Sequence, residues 1–192
     1  MDIFLTWDSK WIWKALFEAL SKEYTVFWIS RNGQYKYNLL KNIDKLSEDF
    51  KQDIFDIIIL NAWMWDFHKF SEWDLKTYED VINLNLLANI KLLKKLNYHK
   101  KTKIIFMWSI IWKKFMKWAS VYQASKFWLR WFAGALKKEW YKCFLINPKI
   151  VDTCFHPEDL DLSYFLKTDI KDIVKIVKNI IKGDEKRFEI DL

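Results

Sequence analysis

DIFLTWDSKWIWKALFEAL, residues 2–20, begins as a strand and ends as a helix. Residues 2–6 form a short, mostly apolar run rich in strand-forming side chains, whereas Ile12, Ala15, Leu16, Ala19 and Leu20 recur at the spacing of one helical face. Between them Thr6-Trp7-Asp8-Ser9-Lys10-Trp11-Ile12-Trp13 must turn the chain from strand to helix within a few residues.

The same alternation runs to the end of the chain. Apolar runs predict further strands at 24–29, weakly at 37–43, and at 53–61, 102–108, 142–147 and 187–191. Helical periodicity predicts helices at 45–52, 74–96, 118–138 and 169–182. DIFDIIILN at 53–61 is continuously apolar over most of its length, as a strand buried on both faces must be. Strands alternating with helices imply a doubly wound α/β domain of three layers, with a parallel sheet of about seven strands and ligands at the strands' C-terminal ends. No linker, repeat or low-complexity tract interrupts the order, so residues 1–192 are expected to form one domain.

Composition narrows the function. The net charge is +7, but the excess is lysine spread over helical faces and loops, which argues against a nucleic-acid partner. No apolar run approaches the roughly 20 residues that span a bilayer, and MDIFLT is too short and acidic for a signal peptide. A soluble, cytoplasmic protein is expected, without membrane association. Cys143 and Cys154 form no CxxC pair, and no His or Cys stands at metal-ligand spacing near them, so reduced thiols and no metal are expected. His68, His99 and His156 have no partners at triad or metal spacing.

The chain holds 13 Trp and only 3 Gly. Average usage predicts roughly 13 glycines in a chain of this size. The indoles fall where a dinucleotide-binding turn needs glycine: for the tight turn, for backbone approach to a pyrophosphate, and for close packing of helix on sheet. Glycine at 7, 11 and 13 turns the first connection into TGDSKGIG. Likewise Asn61-Ala62-Trp63-Met64-Trp65 becomes NAGMG, Trp108-Ser109 becomes GS, YQASKFWLRW at 122–131 becomes YQASKFGLRG, and Lys138-Glu139-Trp140 becomes KEG. So read, the chain resembles the short-chain dehydrogenase/reductase family in its TGxxxGIG motif, its NAG motif and its Ser and YxxxK catalytic residues, in order from Thr6 to Thr153. The simplest common cause is a genetic code in which UGA specifies glycine, rendered here as tryptophan. True tryptophans would be costly. Overpacking costs about 1–3 kcal/mol per site and a left-handed side-chain-bearing residue about 1–2 more, against a domain stability of roughly 5–15 kcal/mol. An indole at Trp7 or Trp13 is expected to fill the pyrophosphate site and weaken or abolish cofactor binding.

Tyr122 and Lys126, four apart on a helix, face the same way. Alone the pair is unspecific; Ser109, thirteen residues earlier at a predicted strand end, makes it specific. The resemblance implies a Rossmann-fold oxidoreductase passing a hydride between a nicotinamide cofactor and a small carbonyl or alcohol substrate. In it Ser109 would bond the substrate carbonyl and Tyr122 would act as acid and base. Lys126 would hold the nicotinamide ribose and lower the tyrosine pKa, and Asn85 would support a water relay to the lysine. The resemblance further assigns Thr6, Trp7, Ser9, Lys10, Trp11, Ile12, Trp13, Asn61, Ala62 and Trp63 to cofactor binding, with Pro148, Val151 and Thr153 beside the nicotinamide. Lys149 stands where the family has glycine. Asp44 is the candidate for adenine. Arg31, where NAD enzymes carry an acid, favours NADP(H) over NAD(H), as does Lys10. Phe155, Tyr164 and Phe165 would give a short lid an apolar wall. Family members pair through their long helices, so a homodimer or homotetramer is expected. The alternative is a non-catalytic dinucleotide-binding or regulatory protein on the same fold.

Overall fold

The computed structural model describes residues 1–7, 12–64, 68–109, 115–151 and 167–192. Ser9, Lys10, Trp11, Thr153, Phe155, His156, Tyr164 and Phe165 lie outside these, and nothing is said of the side chains of Ile12 and Trp13.

The described residues form strands β1 (Asp2–Thr6), β2 (Thr25–Ser30), β3 (Tyr35–Lys36), β4 (Ile54–Leu60), β5 (Asn97–Met107), β6 (Lys142–Asn147), β7 (Ile150–Val151), β8 (Lys167–Thr168) and β9 (Glu189–Asp191). The helices are α1 (Ile12–Leu20), α2 (Ile43–Asp49), α3 (Leu75–Ile82), α4 (Ala88–Lys95), α5 (Ser120–Lys138) and α6 (Ile170–Lys182). Seven strands make one sheet in the order β3-β2-β1-β4-β5-β6-β9, and every pairing is parallel. β7 and β8 form a separate two-stranded piece that the sequence does not predict.

Alternation along the strands makes the three layers. Ile3, Leu5, Ile57, Ile59, Ile105 and Met107 point to one face, against Leu16 and Leu20 of α1 and Ile173, Val177 and Ile180 of α6. Phe4, Ile58, Leu60, Ile104 and Phe106 point to the other, against Leu46 of α2, Leu92 of α4 and Leu129 and Ala133 of α5. Each fully buried aliphatic side chain contributes about 1.5–3 kcal/mol, so the central strands specify their own position. This is the three-layer doubly wound Rossmann architecture with the expected number of sheet strands.

Of the boundaries that differ from the sequence reading, four have a clear local reason, while α2 begins and ends two to three residues early and β9 begins two residues late. The third strand is Tyr35–Lys36 rather than 37–43, because Tyr37 N–H donates back to Ser30 O at 2.9 Å and Asn38 opens a turn. The helix expected at 74–96 contains a π turn, Asn83–Leu87, between α3 and α4. β5 begins at Asn97, five residues before its apolar run, because the exposed Asn97 and the half-buried Tyr98 still pair with Ile54 and Phe55. α5 starts at Ser120 instead of 118, since Trp118 has φ 62° and no helix can pass through it. No helix among the described residues is long and apolar enough to cross a membrane.

Candidate active site

The strand order reverses at β1 and β4, whose C-terminal ends border the crevice where such sheets bind ligands. Thr6 fastens the two strands there. Its Oγ1 accepts from the N–H groups of Asn61 at 3.1 Å and Ala62 at 3.3 Å, and its hydroxyl reaches Ile59 O at 3.5 Å. Asn61 is buried at this edge, yet neither its Oδ1 nor its Nδ2 has a hydrogen-bond partner among the described residues. Orphaned polar atoms cost about 1–3 kcal/mol, and a bound polar ligand is one way to satisfy them.

Trp7 continues β1, its N–H donating to Ile29 O at 2.9 Å. Its buried ring stacks on Trp28 at 6.1 Å between centroids, and Trp28 in turn meets Phe17 of α1 at 5.4 Å. Two indoles are thus packed side by side at the start of the connection. Arg31 is exposed just past the end of β2, beside this connection.

Ser109 follows β5 and Tyr122 lies in the first turn of α5, and the two share a hydrogen bond. Lys126, one turn on, is 1% exposed, and its Nζ lies 5.6 Å from the Tyr122 ring centroid. Trp63, from the loop after β4, closes over both: its ring centroid is 5.4 Å from Lys126 Nζ and 6.1 Å from the Tyr122 ring. Burial controls the electrostatics. It pushes the Tyr122 phenol above its ordinary value, partly opposed by the Ser109 hydrogen bond, and brings the Lys126 amine down to about 7.

Asn85 sits in the π turn and accepts from Met64 N–H at 2.8 Å. Its Nδ2 donates to Met64 O at 2.9 Å and to Ser125 Oγ at 3.0 Å, while Ser125 donates to Tyr122 O at 2.7 Å. One side chain therefore ties the loop carrying Trp63 to the helix carrying Tyr122. Asn89 Nδ2 donates to the Asn85 carbonyl at 2.8 Å, supporting the widened turn. Ser125 and Asn89 were not singled out from sequence. Their signal is a polar residue inside an apolar helical stripe, four from Asn85 in one case and within YQASK in the other.

Two other expectations meet different surroundings. Asp44 does not reach the crevice: it lies in the first turn of α2, paired at 2.9 Å with Lys95, which ends α4 just before β5 begins. That pairing holds it toward the opposite end of the strands and keeps its carboxyl below the usual range, so the adenine assignment is corrected. Pro148 and Val151 flank Lys149, whose N–H donates to Thr168 Oγ1 at 2.9 Å as β7 pairs with β8. Lys149 has no left-handed backbone, so its replacement of glycine is accommodated.

A doubly wound sheet with Ser, Tyr and Lys gathered past its strand ends is the form of a dinucleotide-dependent oxidoreductase. Residues 12–160 match the profile of the short chain dehydrogenase family, and the chain belongs to that family of oxidoreductases. Among solved structures, lin1944 from Listeria innocua superposes with a TM-score of 0.84 at 15% identity, covering 100% of this chain and 99% of its own. An alcohol dehydrogenase from the archaeon Thermococcus sibiricus, complexed with 5-hydroxy-NADP, gives 0.82 at 19% identity, over 100% of this chain and 95% of its own. A short chain dehydrogenase from Burkholderia cenocepacia J2315, in complex with NADP, gives 0.79 at 15% identity, over 99% and 95%. A search of curated proteins finds no match.

Proposed function

We propose that the chain reduces a small carbonyl compound, or oxidises the corresponding alcohol, using NADP(H), with Tyr122 as acid and base. The observation that carries this reading is the Ser109–Tyr122 hydrogen bond with Lys126 against the same ring. The donor set fits a dinucleotide. Thr6, Asn61 and Ala62 border the crevice, Asn61 offers unsatisfied polar atoms, and Arg31 stands past β2 where a 2′-phosphate can be paired. Two fold relatives hold NADP or a hydroxylated NADP, in keeping with this choice. Pro148, Val151 and Thr153, with Ser9, Lys10, Trp11, Ile12 and Trp13, complete the proposed cofactor contacts.

When bound, the cofactor supplies or accepts the hydride. Ser109 holds the substrate oxygen, and Tyr122 gives that oxygen a proton on reduction and takes it back on oxidation. Lys126 holds the ribose edge and, once hydrated and charged, eases loss of the tyrosine proton. Asn85 keeps the loop after β4 and α5 in register so that these groups meet. The active form is proposed to be a cytoplasmic homodimer or homotetramer.

Trp63 favours a second reading, a dinucleotide-binding protein without turnover, because its ring covers Lys126 and Tyr122. Isothermal titration of the chain with glycine at its thirteen tryptophan positions against NADPH and NADH, followed by carbonyl reduction assays, separates the two. Binding and turnover with loss of about 10²-fold or more in Tyr122→Phe is expected. Binding without turnover would establish the second reading, and failure of both nucleotides to bind would defeat the first.

A further inference from the structure

The two long C-terminal helices end in the same motif on different residues. At the end of α6, Gly183 N–H donates to Ile180 O at 3.1 Å and Asp184 N–H to Asn179 O at 2.9 Å, with Gly183 at φ 92°. At the end of α5, Trp140 N–H donates to Lys137 O at 3.2 Å and Tyr141 N–H to Leu136 O at 3.1 Å, with Trp140 at φ 72°. Both are Schellman stops, whose left-handed residue is ordinarily glycine because a Cβ meets the following carbonyl oxygen.

Packing offers Trp140 no compensation. The residue is 90% exposed, so its indole is left in water. Room does not explain the glycine at 183 either: an added Cβ there would approach nothing nearer than Lys103 Nζ at 3.9 Å. Backbone conformation alone distinguishes the position, and position 140 has the same conformation. Trp118, ahead of α5, repeats the case at φ 62° and 48% exposure. Among the described residues these two are the only non-glycine residues with positive φ, and both are tryptophan. At a third position, 63, an indole lies 5.4 Å from the buried lysine amine of the catalytic group.

We infer that in its own cell this protein carries glycine at 140, 118 and 63, through a code in which UGA specifies glycine, and that its working site has no ring over Lys126. The assignments at 140 and 118 stand on backbone geometry. Only the consequence at 63 rests on the oxidoreductase reading.

Peptide mass spectrometry of the protein purified from its source cells tests the assignment directly. Glycine at 140, 118 and 63 is expected. Tryptophan at 140 or 118 overturns the inference, and tryptophan at 63 alone overturns its consequence for the site. Thermal unfolding tests the physical argument without any activity assay. Trp140→Gly should melt above Trp140→Ala, which also removes the exposed indole but keeps the Cβ, and Gly183→Ala should melt below the parent. Equal melting of the two variants at 140 would overturn the claim that the backbone selects glycine. In Trp63→Gly the Lys126 amine, followed by NMR of labelled lysine, should titrate well above about 7; an unchanged titration would show that the indole is not what keeps water from it.

Discussion

Lys126 shows how a residue legible in sequence acquires properties that are not. Its place four residues after Tyr122 fixes a shared helical face, but the indole that lies against its amine arrives from the loop after β4, more than sixty residues away in sequence. The consequence is a pH-dependent stability. The folded amine titrates at about 7, below the roughly 10.5 of an exposed lysine in the unfolded chain. Between those values the unfolded chain binds a proton that the folded chain does not, so stability rises with pH across that window and the penalty is complete below it. Cys143 acts with the opposite sign but later, because burial lifts its thiol to about 12 and its effect begins above the ordinary thiol range. Urea midpoints of this chain are therefore expected to rise between about pH 7 and about pH 8.5, and those of Lys126→Met to rise less. Parallel profiles for the two proteins would place the titration on another group. Asp44 is the converse case: its sequence position after a weak strand suggested the crevice, and only the Lys95 contact reveals the other end of the sheet.

Among the elements, the π turn between α3 and α4 has no signature in hydrophobic periodicity, which runs through 74–96 as one helix. Its effect is to place Asn85 where a single amide serves both main-chain groups of Met64 and the hydroxyl of Ser125. Asn85→Ala removes three hydrogen bonds at a fully buried position and leaves the Met64 N–H and carbonyl unsatisfied, at about 1–3 kcal/mol for each such group. The expected result is a lower urea midpoint together with lost hydrogen-exchange protection at the Met64 amide. Protection retained at Met64 would mean that the loop is held by other contacts. The ends of α5 and α6, at Lys138 and Lys182, are legible in the sequence, the second from Gly183 and the first although Trp140 stands in the glycine position; the start of α5 is not, because helical periodicity runs on through Trp118. Strands buried on both faces were legible throughout, because only a continuous apolar run can occupy them; β3, two residues long at the sheet edge, carries too little pattern to locate.

For the molecule as a whole, the last strand joins the sheet through a hub that sequence presents as ordinary surface charge. Glu189 on β9 accepts from Arg130 of α5, Nη2 at 2.8 Å and Nε at 3.2 Å, and from Asn147 Nδ2 of β6 at 3.0 Å. Asn147 also donates to Asp191 at 2.9 Å, so the end of β6, the end of the chain and the middle of α5 are held by one polar network. Both members of the ion pair are partly buried, at 31% and 22% side-chain exposure, so solvent screens the pair but does not cancel it. Because α5 also carries Tyr122 and Lys126, the hub braces the helix on which the proposed chemistry depends. Glu189→Leu leaves the guanidinium and the Asn147 amide without their shared acceptor. Arg130→Met removes the charge and keeps an apolar stem of similar length. A double-mutant cycle on urea midpoints is expected to give a coupling of about 0.5–3 kcal/mol, with the double variant more stable than Glu189→Leu alone. Strict additivity of the two changes would show that β9 is held by its main-chain pairing with β6 and that the hub contributes nothing to holding the sheet and α5 together.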